Sequence, residues 1–309
     1  RLNNGICSVR SLADFETFHP VVGPVAEAEA LYVNQLQLRE RIQKTAGEFV
    51  IWDVGLGTAA NVLTALRATR EIAGQLRIIS FDHKAEPLEF ALKHAGELGY
   101  FGGYEEPLAE LLRARRVEFQ NGKLAVNWEF HLGDFPAWLH SQMVGRASPR
   151  AARVFPSSAR GDARPTGVIP APHVIFFDAY SPAKNPAMWT LPLFTNLFQM
   201  LDPQRPCAMP TYSRSTILRV TLLLAGFYVG VGHATGLKEE TTIAANTPDL
   251  ITEPLGQRWL ERAQRSHSAE PMREPAYACA SLEPVTVEQL RRHPQFNQPC
   301  GNNPVDGFR

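Results

Sequence analysis

The sequence predicts an α/β protein: a doubly wound sheet, mostly parallel and finished by a C-terminal antiparallel hairpin. Three observations carry this reading. Short, unbroken apolar runs end in an acid, as in FVIWD, ISFD and HVIFFD. Helical patterns separate these runs. Two strand-like segments, FYVGVGHATG and KEETTIAAN, close the regular part of the chain. An apolar run without alternation suits a strand buried on both faces, which is what a parallel sheet provides. Alternation of such strands with helices gives the doubly wound arrangement.

Each element follows in order. Residues 1–47 read as an entry segment containing a helix over 25–41, and residues 48–247 as the main domain. Phe49–Gly55 is its first strand, and 58–69 a helix that Thr58 is placed to cap. Residues 76–82 form a second strand, and 87–98 a helix with Pro87 at its start. Segment 117–134 alternates about Asn121-Gly122, a strong hairpin signal. Strand 173–178, helix 188–201 and strand-like 207–213 follow. Pro210 inside the last argues for an end or edge position. Helix 215–225 stops at Gly226. Residues 144–172, rich in Arg, Pro, Ser and Ala, read as a flexible basic insert, and 248–309 as a Pro-rich tail pinned by Trp259 and Leu260.

Composition narrows the function. Lys plus Arg is 31 and Asp plus Glu is 31, so the chain is not a bulk polyanion binder. No apolar run reaches the roughly 18 residues of a membrane span, and the first residues carry no signal-peptide core. Cys7, Cys207, Cys279 and Cys300 lie far apart and form no CxxC pair. They read as free thiols of a reducing cytoplasm, with no metal expected. The nine histidines lack the i, i+4 spacing of a metal site. Ser213 has no nucleophile elbow around it.

The chemistry concentrates at strand ends. Asp53, Gly55, Gly57 and Thr58 lie in DVGLGTA, a strand running through a Gly-rich turn into a helix, the form of a nucleotide-cofactor loop. The acid at the strand end opposes a pyrophosphate and suits a cationic, amino-bearing ligand. That favours S-adenosyl-L-methionine. Asp82 ends the second strand, where an acid takes ribose hydroxyls. Asp134, after the third, is placed to accept from the adenine amino group. Three such acids in order say more than any one of them.

The block DAYSPAKNPAMWT at 178–190 resembles the methyltransferase half of the bacterial bifunctional proteins that complete 5-methylaminomethyl-2-thiouridine at the tRNA wobble position, the MnmC-type family. TYSRSTILRVTLLLAGFYV, GHATGLKEETTIA and, upstream, EALYVNQLQLRER extend the likeness over about residues 25–245. The resemblance implies a class I S-adenosyl-L-methionine-dependent methyltransferase, with a Rossmann-like sheet of seven strands, acting on the aminomethyl group of 5-aminomethyl(-2-thio)uridine at the tRNA wobble position. It implies Asp178, Tyr180 and Lys238 as catalytic residues, and Ser181, Pro182, Lys184, Asn185 and Trp189 as substrate-binding residues. Four features depart from the family, the first being the extra basic insert at 144–172. Ala59 stands where a third glycine is usual, Glu239 where an arginine is, and FETFHPVVGP at 15–24 has no counterpart. No second dinucleotide fingerprint is present, so no flavin is expected.

Two other readings stay open at this point. One is amine transfer on a small molecule, by an N-methyltransferase or a spermidine-synthase-like aminopropyltransferase, which the zero net charge suits. The other is a non-catalytic nucleotide- or RNA-binding relative.

Overall fold

The computed structural model describes residues 1–12, 15–18, 22–147, 169–236 and 239–297. Eight strands form one sheet: β1 (Glu48–Val54), β2 (Gly74–Asp82), β3 (Arg116–Asn121), β4 (Leu124–Leu132), β5 (Val174–Phe177), β6 (Ala208–Thr211), β7 (Tyr228–Gly232) and β8 (Thr241–Ala245). Their spatial order is β3-β4-β2-β1-β5-β6-β8-β7. Strands β4, β2, β1, β5 and β6 are mutually parallel. β3 pairs antiparallel with β4, and β8 with β6 and β7. The chain enters the sheet at its middle and winds outward both ways. The order therefore reverses between β1 and β5, and ligands of open α/β sheets bind at the carboxyl ends there.

The sheet has one strand more than the seven predicted. The extra strand is β3, the first arm of the hairpin read from Asn121-Gly122. The register pairs Asn121 with Leu124, and Gly122 has φ 63°. That left-handed turn is the form a two-residue hairpin loop requires.

Both faces are covered, as the apolar runs require. Along β1, Phe49 and Ile51 join one buried cluster with the helix Ala60–Thr69, while Val50, Trp52 and Val54 join the other with the helices Leu191–Met200 and Thr216–Ala225. Burying a large apolar side chain contributes about 1.5–3 kcal/mol, so this period-two division fixes which face each β1 residue takes.

Four expectations are revised. Pro210 lies in a central strand, between β5 and β8. The amide of Ala208 points to the β5 side, towards the carbonyl of His173, and Pro210, two residues on, faces the same way. The ladder to β5 ends at Ala208, so no hydrogen bond is lost there. Thr58 does not cap the first helix of the domain. Ala59 holds the cap position with φ 61° and offers no side-chain bond. The basic insert is shorter than 144–172: a helix runs over Phe135–Ala147, and Ile169 is buried with Pro170 accepting from the Trp52 indole at 3.0 Å. Residues 148–168 lie outside the described residues.

The tail, finally, is part of the body as far as Asn297. Helices Gln257–Gln264 and Pro284–Arg291 bury Trp259, Leu260 and Leu290 in the second cluster. No described helix is long and apolar enough to cross a membrane.

Candidate active site

A cavity of about 600 Å³ opens at the carboxyl ends of β1, β2, β4 and β5. That volume is in the range of small-molecule sites. Gly55, Gly57, Asp82, Asp134, Asp178, Tyr180, Lys184 and Asn185 all line it. They come from four separate stretches of sequence, brought together by the parallel order of the strands.

The loop after β1 is tied down by its own backbone. Gly55 and Leu56 donate to the carbonyl of Phe81 at 2.9 and 3.2 Å. Gly57 donates to Asp82 Oδ2 at 2.9 Å, and Lys84 donates to Asp82 Oδ1 at 3.2 Å. Asp82 thus joins the first two strand ends while facing the cavity. Gly55 has φ 98° and Gly57 φ 53°, and Ala59 keeps the left-handed backbone at φ 61°. The position where a third glycine is usual therefore holds its conformation without one. Asp134 accepts from Ala137 at 2.9 Å, opening the helix Phe135–Ala147.

Asp178 leaves the end of β5, where its amide donates to Val54 at 2.9 Å. Its Oδ2 accepts from Asn61 Nδ2 at 2.7 Å. Two residues not singled out from the sequence, Glu27 and Tyr212, share the cavity lining with it. Glu27 is buried at the helix Pro24–Ala28, and Tyr212 donates to the carbonyl of Ala179 at 2.9 Å. Burial, then the negative charges of Asp178, Glu16 and Glu27, hold the Tyr212 phenol well above its ordinary pKa. Tyr32 is raised in the same way by burial, Asp178, Glu27 and Asp53. Both tyrosines are therefore neutral, and this end of the cavity is a concentration of negative charge, which favours a cation.

Several expected residues stand elsewhere. Asp53 does not line the cavity. It shares the inward face of Phe49 and Ile51 and is almost fully buried, accepting from Ser80 Oγ at 2.7 Å. Burial pushes its carboxyl up to about 7, the Ser80 bond acting against this and the charges of Asp178 and Asp82 adding to it. Thr58 is buried beneath the loop. Trp189 is buried behind the 178–190 turn and donates to the carbonyl of Tyr180 at 2.7 Å. Ser181 is engaged by Glu16, and neither Ser181 nor Pro182 lines the cavity. Lys238 lies outside the described residues. Its neighbour Glu240 pairs with the buried Arg219 at 3.2 Å, so an acid stands at the third position of the Lys238–Glu240 motif despite Glu239.

The unaligned segment Phe15–Phe18 also reaches the site. Glu16 accepts from the Ser181 amide at 3.3 Å, and Phe18 meets the Tyr180 ring edge-on with centroids 5.6 Å apart. Only a weak two-residue ladder, Arg10–Ser11 with Glu16–Thr17, announces it locally.

The donor set fits a cationic nucleoside cofactor. Asp53 Oδ1 and Asn61 Oδ1 are buried acceptors with no hydrogen-bond partner among the described residues. Neither residue lines the cavity, so an ordered water is what would supply the donors they lack. A pyrophosphate would meet Asp82, Asp134 and Asp178, all of one sign with it.

Comparison with known proteins agrees. Residues 166–247 match a family of S-adenosyl-L-methionine-dependent methyltransferases. The tRNA 5-methylaminomethyl-2-thiouridine biosynthesis bifunctional protein MnmC of Cupriavidus necator is 27% identical over 266 residues, covering 80% of this chain and 35% of the relative. The protein of that name from Ectopseudomonas mendocina is 30% identical over 219 residues, covering 67% of this chain and 29% of its own. The chain thus spans about a third of the length of these relatives. The crystal structure of MNMC2 from Aquifex aeolicus superimposes with a TM-score of 0.60 at 21% identity, covering 94% of this chain and 82% of that one. The chain is a class I S-adenosyl-L-methionine-dependent methyltransferase, homologous over most of its length to the methyltransferase half of the MnmC proteins.

Proposed function

We propose that the chain methylates a primary amine, the aminomethyl group of 5-aminomethyl(-2-thio)uridine at the tRNA wobble position. The observation that carries this is that Asp178, Glu27 and Tyr212 all line the cavity, with both carboxylates acting on the Tyr212 phenol. The names of the curated relatives support the nucleoside and tRNA as substrate.

S-adenosyl-L-methionine supplies a methyl group already activated on a sulfonium. Gly55 and Gly57 would let the loop approach the cofactor closely, Asp82 would hold the ribose hydroxyls, and Asp134 would hold the adenine amino group. Glu27 and Asp178 hold the substrate ammonium. Asp178 accepts its proton, which frees the nitrogen lone pair for in-line attack. The bound cofactor would supply its methyl group to that nitrogen, with S-adenosylhomocysteine as the leaving group. Alignment of the two reactants supplies most of the acceleration, and proton acceptance contributes about 10²–10⁴-fold. Tyr180 and Asn185 form the wall beside the incoming group, and Lys184 is placed for phosphate or a base edge.

A second reading, N-methylation of a free polyamine, is favoured by the lining itself. Glu16, Glu27, Asp82, Asp134 and Asp178 face only Lys84 and Lys184 among the described Lys, Arg, Asp and Glu of the cavity. Transfer from labelled cofactor decides between the two. Label entering tRNA that bears aminomethyluridine, and not spermidine or putrescine, supports the nucleoside. The reverse result supports the polyamine.

A further inference from the structure

We propose that Phe15 is the side chain on which the substrate base stacks, held at the cavity mouth by the segment Phe15–Phe18. The inference rests on the wobble-uridine reading above. It starts from a segment, FETF, that neither the α/β scaffold nor the family likeness accounts for. The two aromatics of this segment are treated differently. Phe18 turns inward, its ring edge-on to Tyr180 and close over Gly57. Phe15 lines the cavity and yet is 70% exposed.

Its backbone adds a second observation. Phe15 has φ 54°, a left-handed conformation that bulky residues rarely adopt. Such outliers persist where the surrounding structure imposes them, and they gather at ligand sites. Four interactions impose this one. Ser11 pairs with Glu16 and Arg10 with Thr17, the Glu16 carboxylate takes the Ser181 amide, and the Phe18 amide donates to Val9 at 2.9 Å. The segment is fastened to Val9–Ser11 and to Ser181, and the Phe15 ring is left exposed in the cavity lining. An apolar ring fixed there, above a cavity whose floor is acidic, suits a planar base that enters amine first. Single-stranded RNA bases are read in this way, splayed out and stacked on an aromatic side chain.

The test uses the full chain and tRNA bearing aminomethyluridine, with steady-state methyl transfer and cofactor calorimetry on each variant. Removing a base stack typically costs about 10- to 100-fold. Phe15→Ala and Phe15→Leu should each lower kcat/KM for tRNA by about that factor, mainly through KM. Phe15→Trp should stay within about threefold of the parent, since it keeps the stacking face. Cofactor Kd should be unchanged in all three. Full activity in Phe15→Leu overturns the inference, because leucine keeps the bulk and loses the π face. So does weakened cofactor binding in Phe15→Ala, which would place the ring against the cofactor instead. In both cases the parent still methylates tRNA, and the wobble-uridine reading survives. A parent inert on this tRNA overturns that reading and the inference with it.

Discussion

A Cβ added to Gly55 would lie 2.5 Å from the carbonyl oxygen of Asp178. The loop after β1 and the end of β5 therefore touch backbone to backbone. At Gly57 the obstacle to a Cβ is different, the ring of Phe18 at 2.8 Å. Gly55→Ala should lose stability by about 2 kcal/mol or more, since it adds a clash to the left-handed penalty of about 1–2 kcal/mol. Gly57→Ala should lose less, because a side chain can move. Thermal unfolding checks the order, and Phe18→Ala should rescue Gly57→Ala but not Gly55→Ala.

Asp178→Asn should keep fold and cofactor affinity. The amide oxygen can still accept from Asn61, but it cannot take a proton. Turnover should fall about 10²–10⁴-fold with calorimetric cofactor binding intact. A loss of only a few-fold would leave Asp178 a positioning group and nothing more.

The fold is legible where side-chain period and turn chemistry are local. FVIWDVG, ISFD and HVIFFD announce strands because both faces must be apolar. Asn121-Gly122 announces a hairpin because few residues accept that turn. Two local signals conflict at Asp53. Its place at a strand end suggests the cavity, whereas parity along β1 puts it on the buried face of Ile51, and parity decides. Glu16 and Ser181, by contrast, stand 165 residues apart in sequence. Nothing local in FETF marks that meeting. Glu27 is equally silent, since one acid among AEAEA has no pattern of its own until the helix is docked.

Glu27→Gln should raise KM for the amine substrate by about tenfold, the scale of one hydrogen bond to a charged group. It should leave kcat at saturation within a few-fold and cofactor Kd unchanged. Initial rates over a range of tRNA concentrations separate the two parameters. An unchanged KM would remove Glu27 from the ammonium site.

Asp53 gives a pH signature. Its carboxyl stands at about 7 in the folded chain against an ordinary value of 3.8, so the folded state binds the proton more tightly. The stability this provides is complete below about pH 4 and is lost as pH rises towards 7. Asp53→Asn keeps an acceptor for Ser80 and removes the titration. Urea midpoints should therefore fall from pH 5 to pH 8 more steeply in the parent than in the variant. His173 and His293, both held near 4 by burial, slope the other way but are common to both chains. Parallel curves would contradict the assignment.

Deleting residues 148–168 should leave tRNA affinity and its salt dependence as they are, the behaviour of a linker. If Arg150, Arg153, Arg160 and Arg164 meet phosphates, the slope of log K against log salt would flatten by up to about one unit for each phosphate given up. Binding titrations at several salt concentrations distinguish the outcomes.

The docking of the tail changes how the outermost strand meets the outside world. Gln295 accepts from the Val229 amide at 2.7 Å and donates to the Val229 carbonyl at 2.8 Å, and Glu253 takes the Val231 amide at 2.9 Å. These are the groups with which an edge strand recruits a foreign strand. With them occupied, β7 offers no template for another chain to add to. Removing residues 248–297 would uncover those groups, so the docked tail serves as much to keep molecules apart as to hold one together.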